Sequence, residues 1–196
     1  MSSLFLASQI FLWITIGVLG VLVAALARQV GVLHERIAPA GALTLHQKVN
    51  VGDAGPSMAL TALDGSKVTI GGARPGRSQL LFFLSPDCPV CKTLLPIIRS
   101  ANGAENDWLD IVLASDGEAA AHRRLVMAEN LAGFPYVLSE TLGRQLGVSK
   151  LPYAVLLDET GRIASLGLVN NREHLESLFE AKERGVASIQ QYLAQR

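Results

Sequence analysis

Cys88 and Cys91 are the only cysteines in the 196-residue chain, and they stand as Cys88-Pro89-Val90-Cys91. Two thiols at this spacing can exchange with a partner's disulfide: one sulfur attacks, and the other resolves the mixed disulfide. They can also form half of a zinc site, but a closed site needs four ligands and there is no second cysteine pair. The histidines (34, 46, 122 and 174) are scattered and match no ligand spacing, so no metal is expected. A purely structural disulfide closes a very short loop here and gains little chain entropy. Thiol–disulfide exchange is therefore the expected chemistry, with no cofactor beyond the redox-active pair itself.

The elements around the pair suit that role. Gln79 to Leu84 (QLLFFL) is a continuous apolar run of strand length, the pattern of a strand covered on both faces. It leads into Ser85-Pro86-Asp87-Cys88, and a helix carrying Leu94, Leu95, Ile97 and Ile98 opens near Pro89, where proline fits the first helical position. Pro96 should kink that helix or shift its boundary. Cys88 thus lies at a helix N-terminus, where free N–H groups and the dipole favour an anion and can lower a thiol pKa. It is the expected exposed nucleophile, with Cys91 as the resolving thiol. Asp87 beside Cys88 should oppose thiolate formation and Lys92 should favour it.

The globular part starts near Val51. Residues 58–62 and 67–70 read as short strands about the Asp64-Gly65 turn, a hairpin signal. Beyond the cysteines come a strand over 108–114, an alanine-rich helix over 118–130, a strand over 134–138 and a short helix over 140–146 closed by Gly147. Residues 153–157 and 162–168 form a second hairpin about Asp158-Glu159-Thr160-Gly161, and a terminal helix begins at Arg172 and weakens at Gly185. This order predicts an α/β sheet covered on both faces. The carboxylates of Asp116, Glu118, Asp158 and Glu159 read as turn and cap residues.

From Leu4 to Ala27 there is no charge, and the only polar side chains are Ser8, Gln9 and Thr15. As a helix this stretch is roughly 36 Å long, against about 30 Å of hydrocarbon core. Ala25-Leu26-Ala27 resembles a cleavage site, but the leading segment has no Lys or Arg and the apolar run is long for a signal peptide. The expectation is a retained anchor over 1–30, a connector over 31–50 and a globular domain over 51–196. Gly20 and Ala24 form a small-xxx-small pair open to another helix. Arg28, His34 and Arg36 after the span lean weakly toward a cytoplasmic domain by the positive-inside count. Dithiol exchange with secreted disulfides argues instead for the oxidising side. Equal numbers of basic and acidic residues, 17 of each, remove the electrostatic case for nucleic-acid binding.

Residues 80–92 (LLFFLSPDCPVCK), with Leu151-Pro152-Tyr153 and the strand and turn that follow, resemble the thioredoxin-like family from about Val51 onward. The resemblance implies a thioredoxin-like fold, a cis Pro152 facing the disulfide, and a Leu151 backbone free to pair with an incoming peptide. Departures narrow it. Phe82 stands where thioredoxin has a buried acid, and Asp87 replaces the usual tryptophan. Leu81 takes the place of the proline in the peroxiredoxin PxxxTxxC motif.

Over its whole length the chain resembles the MauD family of methylamine utilisation accessory proteins. The uncharged N-terminal span, VGDAGPSMALTALDG (51–65), SPDCPVCK (85–92) and LGLVNNREHLESL (166–178) carry that likeness. It implies a domain on the periplasmic side of the inner membrane that forms or isomerises disulfides in the small subunit of methylamine dehydrogenase. It also implies a polytopic, MauE-like membrane partner that re-oxidises the pair. Two other readings stay open: a reductase for cytochrome c assembly, and a non-catalytic escort of the small subunit.

Overall fold

The computed structural model describes residues 2–36 and 49–184, which fall in two units divided between His46 and Gln47. The first unit holds one helix, α1 (Ser2–Arg36). It continues six residues past the expected end at residue 30, since no proline interrupts the chain before Pro39. Its described side chains are Phe5 and residues 7–23. Phe5, Phe11 and Trp13 are each about 70% exposed (70%, 73% and 67%). Among the described residues no helix is long and apolar enough to cross a membrane. Most of the expected connector, and everything from Gly185 onward, lies outside the described residues. The same holds for the side chain of Ala24.

The second unit opens with a hairpin of β1 (Met58–Thr61) and β2 (Lys67–Ile70). β3 (Ser78–Phe83) follows, then α2 (Pro89–Ala104), β4 (Leu109–Ser115), α3 (Ala119–Ala128), β5 (Tyr136–Leu138) and α4 (Glu140–Gln145). β6 (Tyr153–Leu157), β7 (Ile163–Leu168) and α5 (Arg172–Arg184) complete it. Five strands make one mixed sheet in the order β5-β4-β3-β6-β7. β4 and β5 run parallel to β3, while β6 pairs with it antiparallel.

Alternation along β3 sorts the core into two layers. Leu80 and Phe82, with Leu84 just beyond the strand, join Leu94, Leu95 and Ile98 of α2, Leu125 of α3 and Leu175, Leu178 and Phe179 of α5. Leu81 and Phe83 turn the other way, onto Val68 and Ile70 of the hairpin and Leu142 of α4. Successive strand residues face opposite sides, so burial on both demands the unbroken apolar run that the sequence has. Two polar side chains are buried in the strand as well: Ser78, whose hydroxyl has no partner among the described residues, and Gln79, which is paired at both amide atoms. Its Oε1 accepts from the Gly71 N–H at 2.8 Å, and its Nε2 donates to the Thr69 carbonyl at 3.0 Å, tying the hairpin to the sheet.

α2 runs continuously through Pro96, contrary to the expected boundary shift. Pro96 is exposed, so the helix accommodates the missing N–H on its solvent side. At the other end of the unit, Lys182 of α5 pairs with Glu159 at 2.6 Å and lies 4.6 Å over the Trp108 ring. That ring in turn meets Phe179 edge-on.

A buried polar pair joins α3 to β5. His122 and Tyr136 are each 2% exposed, and His122 Nδ1 lies 2.7 Å from the Tyr136 hydroxyl. His122 Nε2 is 2.8 Å from the Asp116 carbonyl, which can only accept, so Nε2 carries a proton and Nδ1 is left to the Tyr136 hydroxyl. Burial pushes the Tyr136 phenol well above its ordinary pKa, only partly offset by the Ser115 hydroxyl. Tyr153 is shifted the same way by burial.

Two outcomes follow. Gly71 has φ +66°, and a Cβ there would sit 2.0 Å from the Pro56 carbonyl oxygen. Gly71→Ala should therefore lower stability by more than about 1 kcal/mol in urea unfolding. For the tyrosines the sign is set by the raised folded pKa: the neutral phenol stabilises the fold below about pH 10, and that contribution is lost as pH rises further. Circular dichroism should show wild type weakening above about pH 10. Tyr136→Phe should weaken less there, because of the two buried phenols only Tyr153 remains, yet be less stable at neutral pH by roughly 1–3 kcal/mol, since His122 Nδ1 loses its hydrogen-bond partner.

Candidate functional site

β3 delivers the chain to the site. Its pairing continues one residue past the strand, where the Leu84 N–H donates to the Ala114 carbonyl at 3.1 Å. Ser115 Oγ donates to the Leu84 carbonyl at 2.7 Å, so both backbone groups at the exit of β3 are held by β4. The chain then turns. The Asp87 N–H lies 3.3 Å from Ser85 Oγ, and the Cys88 N–H donates to the Ser85 carbonyl at 3.1 Å. Cys88 is the N-cap of α2, with extended backbone (φ −91°, ψ 106°) and Pro89 in the first turn.

Cys88 and Cys91 are joined as a disulfide, with Cα atoms 5.2 Å apart. The two sulfurs are not equivalent. Cys91 is fully buried in the core under α2, whereas Cys88 is half-buried at the surface. The Cys91 N–H donates to Cys88 Sγ at 3.1 Å, and the Lys92 N–H reaches the Cys88 carbonyl at 3.3 Å. Thus the cap of the helix is itself the sulfur that a partner can reach. Asp87 and Lys92 flank it, both exposed. Phe82, at the position of thioredoxin's acid, is 0% exposed, and no Asp or Glu is buried among the described residues.

The Leu151–Pro152 peptide bond is cis, and Pro152 is buried while Leu151 stays 40% exposed. Both lie just before β6, whose first residue, Tyr153, pairs with Phe83 at the end of β3. Antiparallel pairing therefore sets Leu151 and Pro152 at the same end of the sheet as the cysteine turn. Tyr153 also pairs with Leu168, and the Val169 N–H donates to the Pro152 carbonyl at 3.1 Å. Of the large apolar side chains exposed on the described globular unit, Val90, Leu151 and Leu168 all belong to this end; the fourth, Met127, is on α3.

Some of the site's surroundings escape a reading of the residues alone. The His122–Tyr136 pair and the Ser115 hydroxyl brace the strand ends beneath the site, and the one signal for them was a tyrosine in the apolar run of β5 and a histidine after three alanines in α3. A cleft of about 290 Å³ opens beside Leu151, walled by the ends of β3 and β4, by α4 and by the chain from Val148 to Leu151. Asp64 and Asp158 are turn residues. Asp64 Oδ1 takes the Ser66 N–H, and Asp158 Oδ1 takes the N–H groups of Thr160 and Arg162. No group of three or more His, Cys, Asp or Glu side chains that could hold a metal ion occurs among the described residues.

Comparison with known proteins agrees with this architecture. Residues 50–182 match the Redoxin family. The chain is 46% identical to the methylamine utilization protein MauD of Paracoccus denitrificans, over 100% of this chain and 98% of that one. It is 44% identical to the protein of the same name from Methylobacillus flagellatus, over 98% and 93%. The solved structure of a thiol-disulfide oxidoreductase from Bacteroides fragilis superposes with a TM-score of 0.55 at 21% identity, covering 65% of this chain and 98% of that one. With a mixed five-stranded sheet, a Cys-x-x-Cys pair capping the helix after β3 and a cis proline opening β6, the chain has the thioredoxin-like α/β fold and belongs to the MauD family.

Proposed function

We propose that this chain is a membrane-anchored protein thiol–disulfide oxidoreductase that forms or isomerises disulfides while the small subunit of methylamine dehydrogenase matures. One observation carries the reading: the disulfide offers a single accessible sulfur, Cys88, beside the exposed Leu151 edge, and keeps Cys91 in the core. The family membership supplies the link to methylamine utilisation.

The chemistry follows from that asymmetry. A substrate thiolate attacks Cys88 Sγ, the Cys88–Cys91 bond breaks, and Cys91 leaves as the thiolate. A second substrate thiolate then attacks the substrate sulfur of the mixed disulfide and releases Cys88. Two electrons pass to the cysteine pair and one disulfide forms in the substrate. The Cys91 N–H aimed at Cys88 Sγ, with the N-terminal end of α2, stabilises the thiolate that departs in the second step. A polytopic, MauE-like membrane protein then takes the two electrons. In the isomerising mode the reduced pair starts instead, and Cys88 attacks a wrong substrate disulfide. Leu151 offers its backbone to the substrate, and Val90 and Leu168 give apolar contact around it.

The uncharged run from Leu4 to Ala27 and the outward-facing Phe5, Phe11 and Trp13 support α1 as the anchor in the inner membrane, with the globular unit in the periplasm. Each part has its own test. A host growing on methylamine, with this chain in place of its own MauD, should accumulate a mixed disulfide between Cys88 and the dehydrogenase small subunit when Cys91→Ser is introduced. Non-reducing gels and mass spectrometry read it. Adducts only with cytochrome c assembly proteins would favour the reductase, and growth of a double cysteine-to-serine variant would favour the escort. For the anchor, the full chain should stay with membranes after alkaline carbonate washing, while a variant lacking residues 1–48 should be released. Release of the full chain would overturn the tether.

A further inference from the structure

β5 covers only the later part of β4, and one proline ends the pairing. Between β3 and β4, the Ser78 N–H donates to the Trp108 carbonyl and the Leu84 N–H to the Ala114 carbonyl. Even-numbered residues of β4 therefore turn their backbone groups to β3, and odd-numbered residues turn theirs to β5. On that side the Leu113 N–H donates to the Pro135 carbonyl at 2.9 Å. The rung before it needs an N–H at residue 135 for the Ile111 carbonyl, and proline has none. Leu109 is served otherwise: its N–H donates to the Glu105 carbonyl at 2.9 Å, and its carbonyl accepts from Arg77 at 3.4 Å. The Ile111 N–H and carbonyl make no hydrogen bond with a described residue, although Ile111 is only 3% exposed. Backbone groups so placed need a partner.

They border a cleft of about 450 Å³ that follows the open edge of β4 between β2 and the end of α2. Asn102 and Asn106 bring side-chain amides to one wall. On the other, Lys67 donates to the Thr61 hydroxyl and has no carboxylate in ion-pair reach among the described residues. Arg74 shares Asp110 with Arg77. Two lining cations thus meet one lining carboxylate, which a third cation also uses. Asp64 and Asp107 stand outside the lining, Asp64 bonded to Ser66 and Asp107 acting on Arg77. The lining keeps a positive excess at Lys67.

We propose that this cleft takes an extended polypeptide segment of a partner protein, whose backbone pairs with Ile111 and whose acidic side chain meets Lys67. An extended residue presents an N–H and a carbonyl together, the two groups that Ile111 lacks, and strand addition at a sheet edge is a general mode of recognition. Residues 37–48 and 185–196 contain no Asp or Glu, so the acidic group comes from another chain. The cleft lies toward the starts of β3 and β4, whereas Cys88 follows the other end of β3. A segment held there leaves the reactive sulfur uncovered.

Three probes test it on the full-length chain in detergent: acetyl-Ala-Glu-Ala-amide, its glutamine counterpart, and glutarate, a carboxylate without amide groups. NMR follows the Ile111 amide proton through each titration. The glutamate peptide should move that proton downfield and bind roughly tenfold more tightly than the glutamine peptide, the margin of a charged hydrogen bond over a neutral one. Lys67→Glu should bring the ratio to one or below, whereas Lys67→Arg should keep it within about twofold of the parent. Gly133→Trp should block both peptides, at a position where a Cβ meets nothing within 4 Å, and repeats the test should Lys67→Glu disturb the hairpin. An Ile111 amide that neither peptide moves would overturn the docking site and leave the cleft to water. Glutarate binding as tightly as the glutamate peptide would overturn the polypeptide in favour of a small anion. A preference that survives Lys67→Glu would overturn the pairing with Lys67.

Discussion

β3 has no face to spare. All six of its residues are buried, with α2, α3 and α5 on one side and the β1–β2 hairpin and α4 on the other. A strand so enclosed can carry chemistry only where it leaves the sheet, and everything at the site is arranged about that exit. The Leu84 backbone is held on both its N–H and its carbonyl by β4, so the turn to Cys88 starts from a fixed point. Burial of Phe82 has a second consequence. An isolated carboxylate there would lie in the apolar layer formed with Leu80, Leu94 and Leu113, at a desolvation cost no neighbour could repay. Phe82 thus packs this layer completely while leaving the disulfide without an acid behind it.

Most polar side chains buried in the unit act as pins between elements; of these side chains the Ser78 hydroxyl alone has no partner among the described residues. Gln79 joins the hairpin to the sheet, and His122 with Tyr136 joins α3 to β5 and to the loop at Asp116. At the opposite end of the sheet Arg74 and Arg77 share Asp110, whose carboxyl is held below its ordinary range chiefly by the Arg77 hydrogen bond. Those three side chains are partly exposed, so the pair adds little stability of its own. The buried pins matter more, because an unsatisfied donor or acceptor at the same places would cost the full desolvation of the group. Apolar layers set how much the unit is stabilised, while these pins determine which elements meet, Gln79 at the start of β3 and the His122–Tyr136 pair nearer the Cys88 end.

Much of this was legible in the residues. The run from Gln79 to Leu84 announced a strand buried on both faces, and the two turns at Asp64-Gly65 and Asp158 to Gly161 announced both hairpins. The cysteine spacing placed Cys88 at a helix start, where it stands as the N-cap. The likeness around Leu151-Pro152-Tyr153 led to the cis bond. Other features depend on tertiary neighbours that no local pattern encodes. His122 sits in an alanine-rich helix, and only the return of β5 beside β4 brings Tyr136 within reach of it. Pro96 was expected to kink α2 or shift its boundary; the boundary does not shift, because the apolar face of α2 against β3 carries the helix past it.

One accessible sulfur imposes an order on the proposed reaction. Cys88 must meet the substrate and the membrane re-oxidant by the same face, so the two partners exclude each other and serve in turn. A re-oxidant confined to the bilayer gains from an anchor on α1, because tethering turns its encounter with Cys88 into an effectively intramolecular event with a high local concentration. The substrate, arriving from solution, has no such advantage. It needs contacts that the re-oxidant does not use, and the exposed Val90, Leu151 and Leu168 at the Cys88 end are apolar surface available for them. Binding there holds the substrate cysteine at Cys88 long enough for its second thiol to attack, and release of the reduced pair clears the face for the membrane partner. On the proposed reading, selectivity and turnover then draw on different elements, the apolar surface around Cys88 for the substrate and α1 for the re-oxidant, joined only through the sulfur of Cys88.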